Sequence, residues 1–511
     1  MKKRITIMLS VVFLFMVLCG GLEAATGKDR LVNFAYQGIT SSFNVRNNLG
    51  TAEAITMAQV YDTLLTKDMD GTFRPNLADS WDISEDGLEY TFHLNKDVKW
   101  SDGVDFTAAD VEFAFNYLAE TPMFSWIYKT NIARMEIVDD DTIKIFVHKP
   151  NALFISLLAQ PSYGNIMSKH GFEKYGEEYG TAIDKIIGTG AYKVTEWVPN
   201  ISVTYEAKPD YFKGEAVFKR AKLHRINDHN TASVALQTGE LDIYVVPIGG
   251  AVYNTLIGNK NIVMGEYISA RNEGVYMYCK DGMFADVRMR RAVAHAVNKE
   301  DYLAVGMDGL GQIINYPGDI GSAMTANPDF VPAMQYEHDV EKARALVKEA
   351  GYEGASIVVK SYNTDPYATL ATYIQGVLTE IGLVATVEPM ERGTFLAQIN
   401  AEAVPILPLS WNGQTYDIEE VLGNSLYSQS VGSAGNYSFY IDEEMDRMVE
   451  AARGTNDVAK RKELYRAIVD KYIEDMPFVP MFAMKSAIPR RVDITTDNPR
   501  SLRLFDYRWA N

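Results

Sequence analysis

The sequence predicts an α/β protein of more than one lobe, and three observations carry that prediction. The chain has 511 residues, 47% of them hydrophobic, enough to bury several separate cores. Residues 61–118 read as strand, turn, strand, turn and capped helix in succession. Beyond residue 339, helical and extended patterns alternate as far as Trp411, which implies a sheet covered by helices. Charged residues at 23% and the lack of low-complexity tracts fit an ordered globular chain.

Within the opening run, Asp70-Gly71, Asp86-Gly87 and Asp102-Gly103 are turn signals that punctuate short extended segments. Leu88, Tyr90, Phe92 and Leu94 alternate with Glu89, Thr91 and His93, the period of a half-buried strand. Thr107 is placed to cap a helix with Asp110 three residues on, and Val111, Ala114, Phe115 and Leu118 share one apolar face. Residues 139–147 then read as a turn feeding a strand, and 154–158 as a short helix. Ile187-Gly188-Thr189-Gly190-Ala191-Tyr192-Lys193-Val194 is a glycine-flanked turn entering a strand.

Farther on, 232–241 suggests a helix ended near Gly239. A helix over 284–299 would place Val287, Arg291, Ala294 and Val297 close to one face, leaving Arg288 and Arg290 for surface or interlobe ion pairs. Residues 339–351 form an amphipathic helix ending in glycine, and 369–381 another that leads through Gly382 into a strand at 383–387. The tail is a helix over 460–473 followed by a strand at 476–482.

The N-terminus has the form of a secretory signal. Lys2, Lys3 and Arg4 are a basic start, residues 5–18 an apolar stretch too short for a comfortable membrane span, and Ala24 and Ala25 small residues for cleavage. Cys19 raises a lipoprotein anchor, but bulky Leu18 before it favours ordinary cleavage and a periplasmic protein. Removing residues 1–25 takes away three basic residues and one acid, moving the formal charge from −18 to −20. Such acidity disfavours nucleic acid and anionic lipid as partners. Of the two cysteines only Cys279 would remain, so no internal disulfide is expected.

A search for catalytic grammar finds no G-x-S-x-G, H-E-x-x-H, G-x-x-x-x-G-K-[ST] or C-x-x-C, so neither enzyme activity nor a cofactor is expected. His224, Asp228 and His229 make the one histidine cluster that invites a metal reading, and surface or capping roles account for them better, so no metal site is expected. Thirty tyrosines and six tryptophans suit recognition of a small ligand and are equally core material.

The opening run, with Leu77-Ala78-Asp79-Ser80-Trp81 and Trp100-Ser101-Asp102-Gly103 inside it, strongly resembles the peptide/nickel class of extracytoplasmic solute-binding proteins, family 5, the receptors of ABC importers. The Ile187–Val194 string, the 205–212 segment and the 284–299 helix are further landmarks of that family in the expected order. The resemblance implies a two-lobed periplasmic-binding-protein (Venus flytrap) fold with an extra α+β domain inserted in the first lobe. The expected lobes are 26–62, 181–268 and 483–511 for the first, 63–180 for the insertion and 269–482 for the second. It further implies a monomer that encloses its ligand between the lobes and delivers it to a membrane permease.

For the ligand site the resemblance points first to Ser410-Trp411-Asn412-Gly413-Gln414-Thr415-Tyr416-Asp417. In peptide binders the similar stretch is a Trp-x-Gly run ending in Asp-Pro, whose aspartate meets the ligand's α-ammonium. Trp411, Gly413 and Asp417 match it, while Ile418 replaces the proline and Asn412 and Tyr416 fill the run. A buried ammonium needs such a carboxylate to offset its desolvation. Asp417 would equally serve as the cap of a helix beginning at Ile418. Where dipeptide binders carry an arginine for the ligand carboxylate, this chain has Thr369. Phe43, Asn44, Tyr163, Tyr276 and Tyr278 complete the candidates. A peptide is the expected ligand; an oligosaccharide, a cationic amine or a metal chelate in the same receptor, a sensory receptor and a secreted hydrolase are the alternatives.

Overall fold

The structure, a computed structural model, describes residues 29–510 apart from 48–49, 69–70, 246–249, 318–329, 331, 402–403, 414, 416 and 433–434. The expected signal segment and Cys19 lie outside the described residues. Three larger sheets, beside two two-stranded ones, organise the described residues. The first has seven strands, in spatial order Ile262–Val263, Arg490–Arg491, Ile243–Tyr244, Val32–Tyr36, Arg220–Arg225, Ser202–Ala207 and Tyr192–Val198. Val32–Tyr36 runs parallel to both neighbours, with Phe34 opposite Leu223 on one side and Ile243 on the other. All three side chains are buried, as expected of a strand covered on both faces.

The second sheet has six strands, ordered Gly311–Ile313, Phe478–Ala487, Glu266–Met277, Ile406–Asn412, Ser356–Tyr362 and Val384–Met390. The last two are parallel and joined by the helix Tyr367–Glu380, the βα alternation expected from the sequence. The amphipathic helix is Val340–Glu349, capped by Asp339, and the tail helix is Val458–Asp475. The third sheet is antiparallel, ordered Ala78–Ile83, Glu89–Leu94, Thr142–Val147 and Ile132–Asp139.

Here the opening run folds as its periodicity predicts. Tyr90, Phe92 and Leu94 are buried while Glu89, Thr91 and His93 are half-buried. Thr107 precedes the helix Ala108–Ala119, which buries Val111, Ala114, Phe115 and Leu118. The Asp110 carboxylate accepts from the Thr107 backbone N–H (3.0 Å), the Lys169 N–H (2.9 Å) and the Trp100 indole (3.2 Å), tying that landmark tryptophan to the capping box. This layer shares one continuous hydrophobic core with the first sheet, whereas the second sheet has its own.

The glycine motif at 188–190 also has a physical reason. A Cβ on Gly188 would stand 2.0 Å from the Val60 carbonyl oxygen and one on Gly190 2.5 Å from the Val60 carbonyl carbon, so only glycine lets the two backbones meet. Where the chain passes from the first sheet to the second, after Val263, Gly265 has φ +54°; a Cβ there would meet the Ile488 carbonyl at 2.7 Å. The return passage lies alongside, between Ala487 and Arg490.

One expectation is corrected. The helix Val287–Ala296 buries Met289, Arg290, Ala292, Val293, Ala294 and Ala296, while Val287 and Arg291 are only half-buried. Among the described residues Arg290 makes no ion pair; its guanidinium donates to the carbonyls of Phe284 (2.7 Å), Ala285 (3.1 Å) and Asp475 (2.6 Å). Asp286 caps the helix through the Arg288 N–H (2.8 Å), and Ala294 and Val297 of the expected face are buried while the burial extends to Met289, Arg290 and Val293. Arg288 does form ion pairs, with Asp286 and Glu349. Among the described residues no helix is long and apolar enough to cross a membrane.

Candidate functional site

A cavity of about 1280 Å³ opens between the first sheet with its inserted layer and the second sheet. One wall includes Gln37, Tyr61, Asp62, Lys67, Gln160 and Ser162; the wall on the side of the second sheet includes Arg271, Tyr362, Tyr367, Ser410, Trp411 and Gly413. The passing strands supply Tyr267, Ser269 and Lys485, and residues 497–508 line the remaining side. Such a position lets one ligand touch both lobes at once.

Trp411 is the next-to-last residue of the strand Ile406–Asn412, opposite Asn272 of the neighbouring strand. Its indole N–H donates to the Glu420 carbonyl (3.0 Å), and the Tyr437 ring meets it edge-on at 5.9 Å. That bond fixes the ring plane while leaving the ring half-buried against the cavity. Gly413 follows, its N–H on the Ala270 carbonyl (3.2 Å); a Cβ would press into Val421 at 2.8 Å. The Trp-x-Gly spacing thus reports two steric demands of this loop.

Asp417 stands elsewhere. Its carboxylate accepts two bonds from the Arg461 guanidinium, at 2.8 and 2.9 Å, and a third from the Glu419 N–H at 2.9 Å. It is buried and does not line the cavity. Burial alone would raise its pKa, but Arg461 overrides that and holds the carboxyl below the usual carboxylate range. The capping alternative matches this geometry, with an ion pair added from a helix that begins 41 residues later, at Val458. Glu419 beside it is likewise engaged, by Arg453 and the Tyr465 hydroxyl.

Of the other candidates, Phe43 is in the first core, edge-on to Trp197 at 5.1 Å. Asn44 is buried, donating to the Tyr117 hydroxyl (3.0 Å) and accepting from the Arg46 N–H. Tyr163 is half-buried behind Ser162, its carbonyl accepting from Tyr128 (2.6 Å) and its ring against Trp126. Tyr276 stacks on Phe478 at 4.6 Å in the second core, and Tyr278 reaches out to Asp281 (3.4 Å). None of these five lines the cavity. Asn412 is paired in its strand opposite Arg271 with its side chain outside the described set, and Tyr416 lies outside the described residues. In the histidine cluster, His224 contacts Asn33 (2.9 Å), Asp228 caps the helix His229–Thr238, and His229 contacts Tyr244 (3.0 Å) and Gln37.

The geometry adds residues that sequence reasoning missed. The Lys67 ammonium donates to the Thr415 carbonyl (3.1 Å) and Ser156 hydroxyl (3.3 Å), linking the two walls; burial pulls its pKa below the ordinary lysine value. The Arg271 guanidinium donates to Ser410 and to the Tyr367 hydroxyl, each at 2.8 Å, and these two hydroxyls are themselves bonded at 2.7 Å. Tyr367 and Ser410 fall within stretches already singled out, but Arg271 sits in a strand with no local motif.

The model of the bacterial extracellular solute-binding proteins, family 5, matches residues 72–433, well over half of the chain. The chain belongs to that family. A family 5 relative is the glutathione-binding protein GsiB of Escherichia coli strain K12, 28% identical over 438 residues that cover 83% of each chain. Among solved structures, the ABC transporter-associated periplasmic binding protein DppA of Helicobacter pylori, in complex with the peptide STSA, is 25% identical with a TM-score of 0.74; the match covers 94% of this chain and 98% of that one. HbpA2 of Haemophilus parasuis is 24% identical with a TM-score of 0.81, covering 94% and 100%. The chain is therefore a solute-binding protein with the two-lobed α/β fold. The relatives are substrate-binding proteins of an extracytoplasmic family.

Proposed function

We propose that this family 5 protein is the peptide receptor of an ABC importer, a non-catalytic monomer that closes two lobes on its ligand and presents the closed form to a membrane permease. In this reading residues 1–25 direct export to the periplasm without a lipid anchor on Cys19. Residues 26–62, 181–268 and 483–511 form the first lobe, 63–180 its insertion and 269–482 the second lobe.

The observation that carries the reading is Trp411 and Gly413, the Trp-x-Gly run of peptide binders, on the wall of a cavity of about 1280 Å³ between the lobes. That volume exceeds the roughly 300–1,000 Å³ of an ordinary small-molecule pocket and suits an extended chain. GsiB binds glutathione, itself a peptide, and DppA is seen with a tetrapeptide, which supports the same ligand class here. Closure follows from differential binding: a ligand held by both walls stabilises the form in which they meet. Trp411 and Gly413 are the ligand contacts in this reading, and Asp417 holds the loop that presents them.

Calorimetric titration with glutathione and with Ser-Thr-Ser-Ala, paired with small-angle scattering, tests the reading. Binding accompanied by a smaller radius of gyration is expected. Tight binding of a sugar or a metal chelate in place of either peptide would overturn the peptide assignment.

A further inference from the structure

The cavity wall is basic although the chain is acidic. Three lysines and five arginines line it against five aspartates, in a protein of formal charge −18. Much of this charge is already paired inside the protein: Arg503 meets Asp62 (3.2 Å), Arg508 meets Asp497 (2.7 Å) and Lys485 meets Glu266 (2.8 Å). Arg271 differs. Among the described residues no carboxylate lies within ion-pair distance of its guanidinium, whose side-chain partners are the neutral hydroxyls of Ser410 and Tyr367.

The acid nearest in sequence does not compensate it. Glu273, two residues on, is buried in the second lobe with the Tyr302 hydroxyl 3.4 Å away. Burial pushes its carboxyl up to about 8, with Arg271 opposing, so at neutral pH it is mostly uncharged. Arg271 therefore faces the cavity as a held, uncompensated cation. A guanidinium braced on one edge keeps the rest of its fork for a planar anion, and ordering it in advance lowers the cost of binding.

Its place in the fold adds a second reason. Tyr367 opens the helix Tyr367–Glu380, and Thr369 in the first turn of that helix donates to Asp365 (2.6 Å) and offers no charge. Arg271, from the strand Glu266–Met277, bonds the hydroxyl of Tyr367 and puts a full positive charge on this part of the wall. Tyr362, against Tyr367 at 4.9 Å, brings Arg392 to the same corner.

We propose that Arg271, braced by Tyr367 and Ser410, takes a carboxylate of the ligand on the second-lobe wall, so that the cleft selects ligands carrying a free acid group. The inference rests on the reading of this cleft as a peptide site.

The test titrates Ser-Thr-Ser-Ala as the free acid and as its C-terminal amide, with glutathione alongside, into wild type, Arg271→Gln and Arg271→Lys. Wild type should prefer the acid by roughly tenfold or more, as for the loss of one charge-assisted contact. Arg271→Gln should bind acid and amide alike, and Arg271→Lys should keep part of the preference. Equal binding of acid and amide by wild type, or a preference that survives Arg271→Gln, overturns the anchor and leaves the peptide reading intact. If wild type binds none of the three probes, the peptide reading falls, and the molecules released from denatured wild-type protein decide the anchor. Acids missing from Arg271→Gln protein would uphold it, and neutral or cationic molecules would overturn it.

Discussion

Asp417 and Arg461 form a two-pronged ion pair with both side chains almost wholly out of water, at 5% and 6% exposure. The pair joins the loop after Trp411 to the long helix Val458–Asp475, and Glu419 adds contacts to Arg453 at the end of the preceding helix, Glu443–Arg453, and to Tyr465 of the long helix. The loop that carries Trp411 and Gly413 is thus anchored from behind by charge, and its cavity face is left to aromatic and backbone groups.

Asp417→Ala should act on folding. Removing one partner of a buried pair leaves an uncompensated charge and costs ~3–5 kcal/mol. Urea unfolding should show that loss, and Asp417→Leu combined with Arg461→Met should recover most of it. Because Arg461 holds the carboxyl below its ordinary range, the pair's contribution is present at neutral pH and fades as pH falls through the folded-state value. A single variant as stable as wild type would contradict this account of the loop.

Trp411→Ala should weaken peptide binding by roughly 30-fold or more, the scale of an aromatic hot spot. Trp411→Phe keeps the apolar face and loses only the bond to Glu420, so calorimetry should place it within a few-fold of wild type.

Glu273 gives a pH signature. A carboxyl raised to about 8 in the fold, against about 4.3 unfolded, contributes stability that is complete below the unfolded value and is lost as pH rises through the folded one. Between the two, this group lowers stability by up to about 1.4 kcal/mol per pH unit. Glu273→Gln should match wild type near pH 5 and unfold at higher temperature than wild type at pH 9. Parallel melting curves at both pH values would rule the shift out.

At the passage between lobes, Gly265→Ala should lower the melting temperature more than Gly258→Ala. Both glycines have positive φ, at +54° and +83°, and share the backbone penalty of about 1–2 kcal/mol. Only Gly265 also has a carbonyl in the way, while a Cβ on Gly258 meets open space. Equal melting temperatures would show that the close approach carries no cost.

Much of the fold was legible because local rules govern it. The alternation of residues 88–94, the Thr107 capping box and the helix ended at Gly239 each follow from neighbours within a few residues. The site was less legible because its decisive contacts are remote in sequence. Arg461 lies 44 residues from Asp417, and Arg271 lies 139 from Ser410, so no local spacing records either pairing. Tyrosine is ambiguous for a different reason: its apolar ring and polar tip suit either place, and Tyr276 packs on Phe478 while Tyr367 lines the cavity and bonds Arg271 and Ser410. Trp411 and Gly413 were found through the resemblance to the Trp-x-Gly run of peptide binders, since the groups that hold them, Glu420, Val421 and Ala270, leave no mark in the adjacent residues.

The most direct test of the peptide-receptor account is native mass spectrometry of the protein as purified, followed by denaturation and identification of what is released. The account predicts a ladder of peptide masses rich in free carboxylates. A sugar, a metal chelate or a single small cation would contradict it.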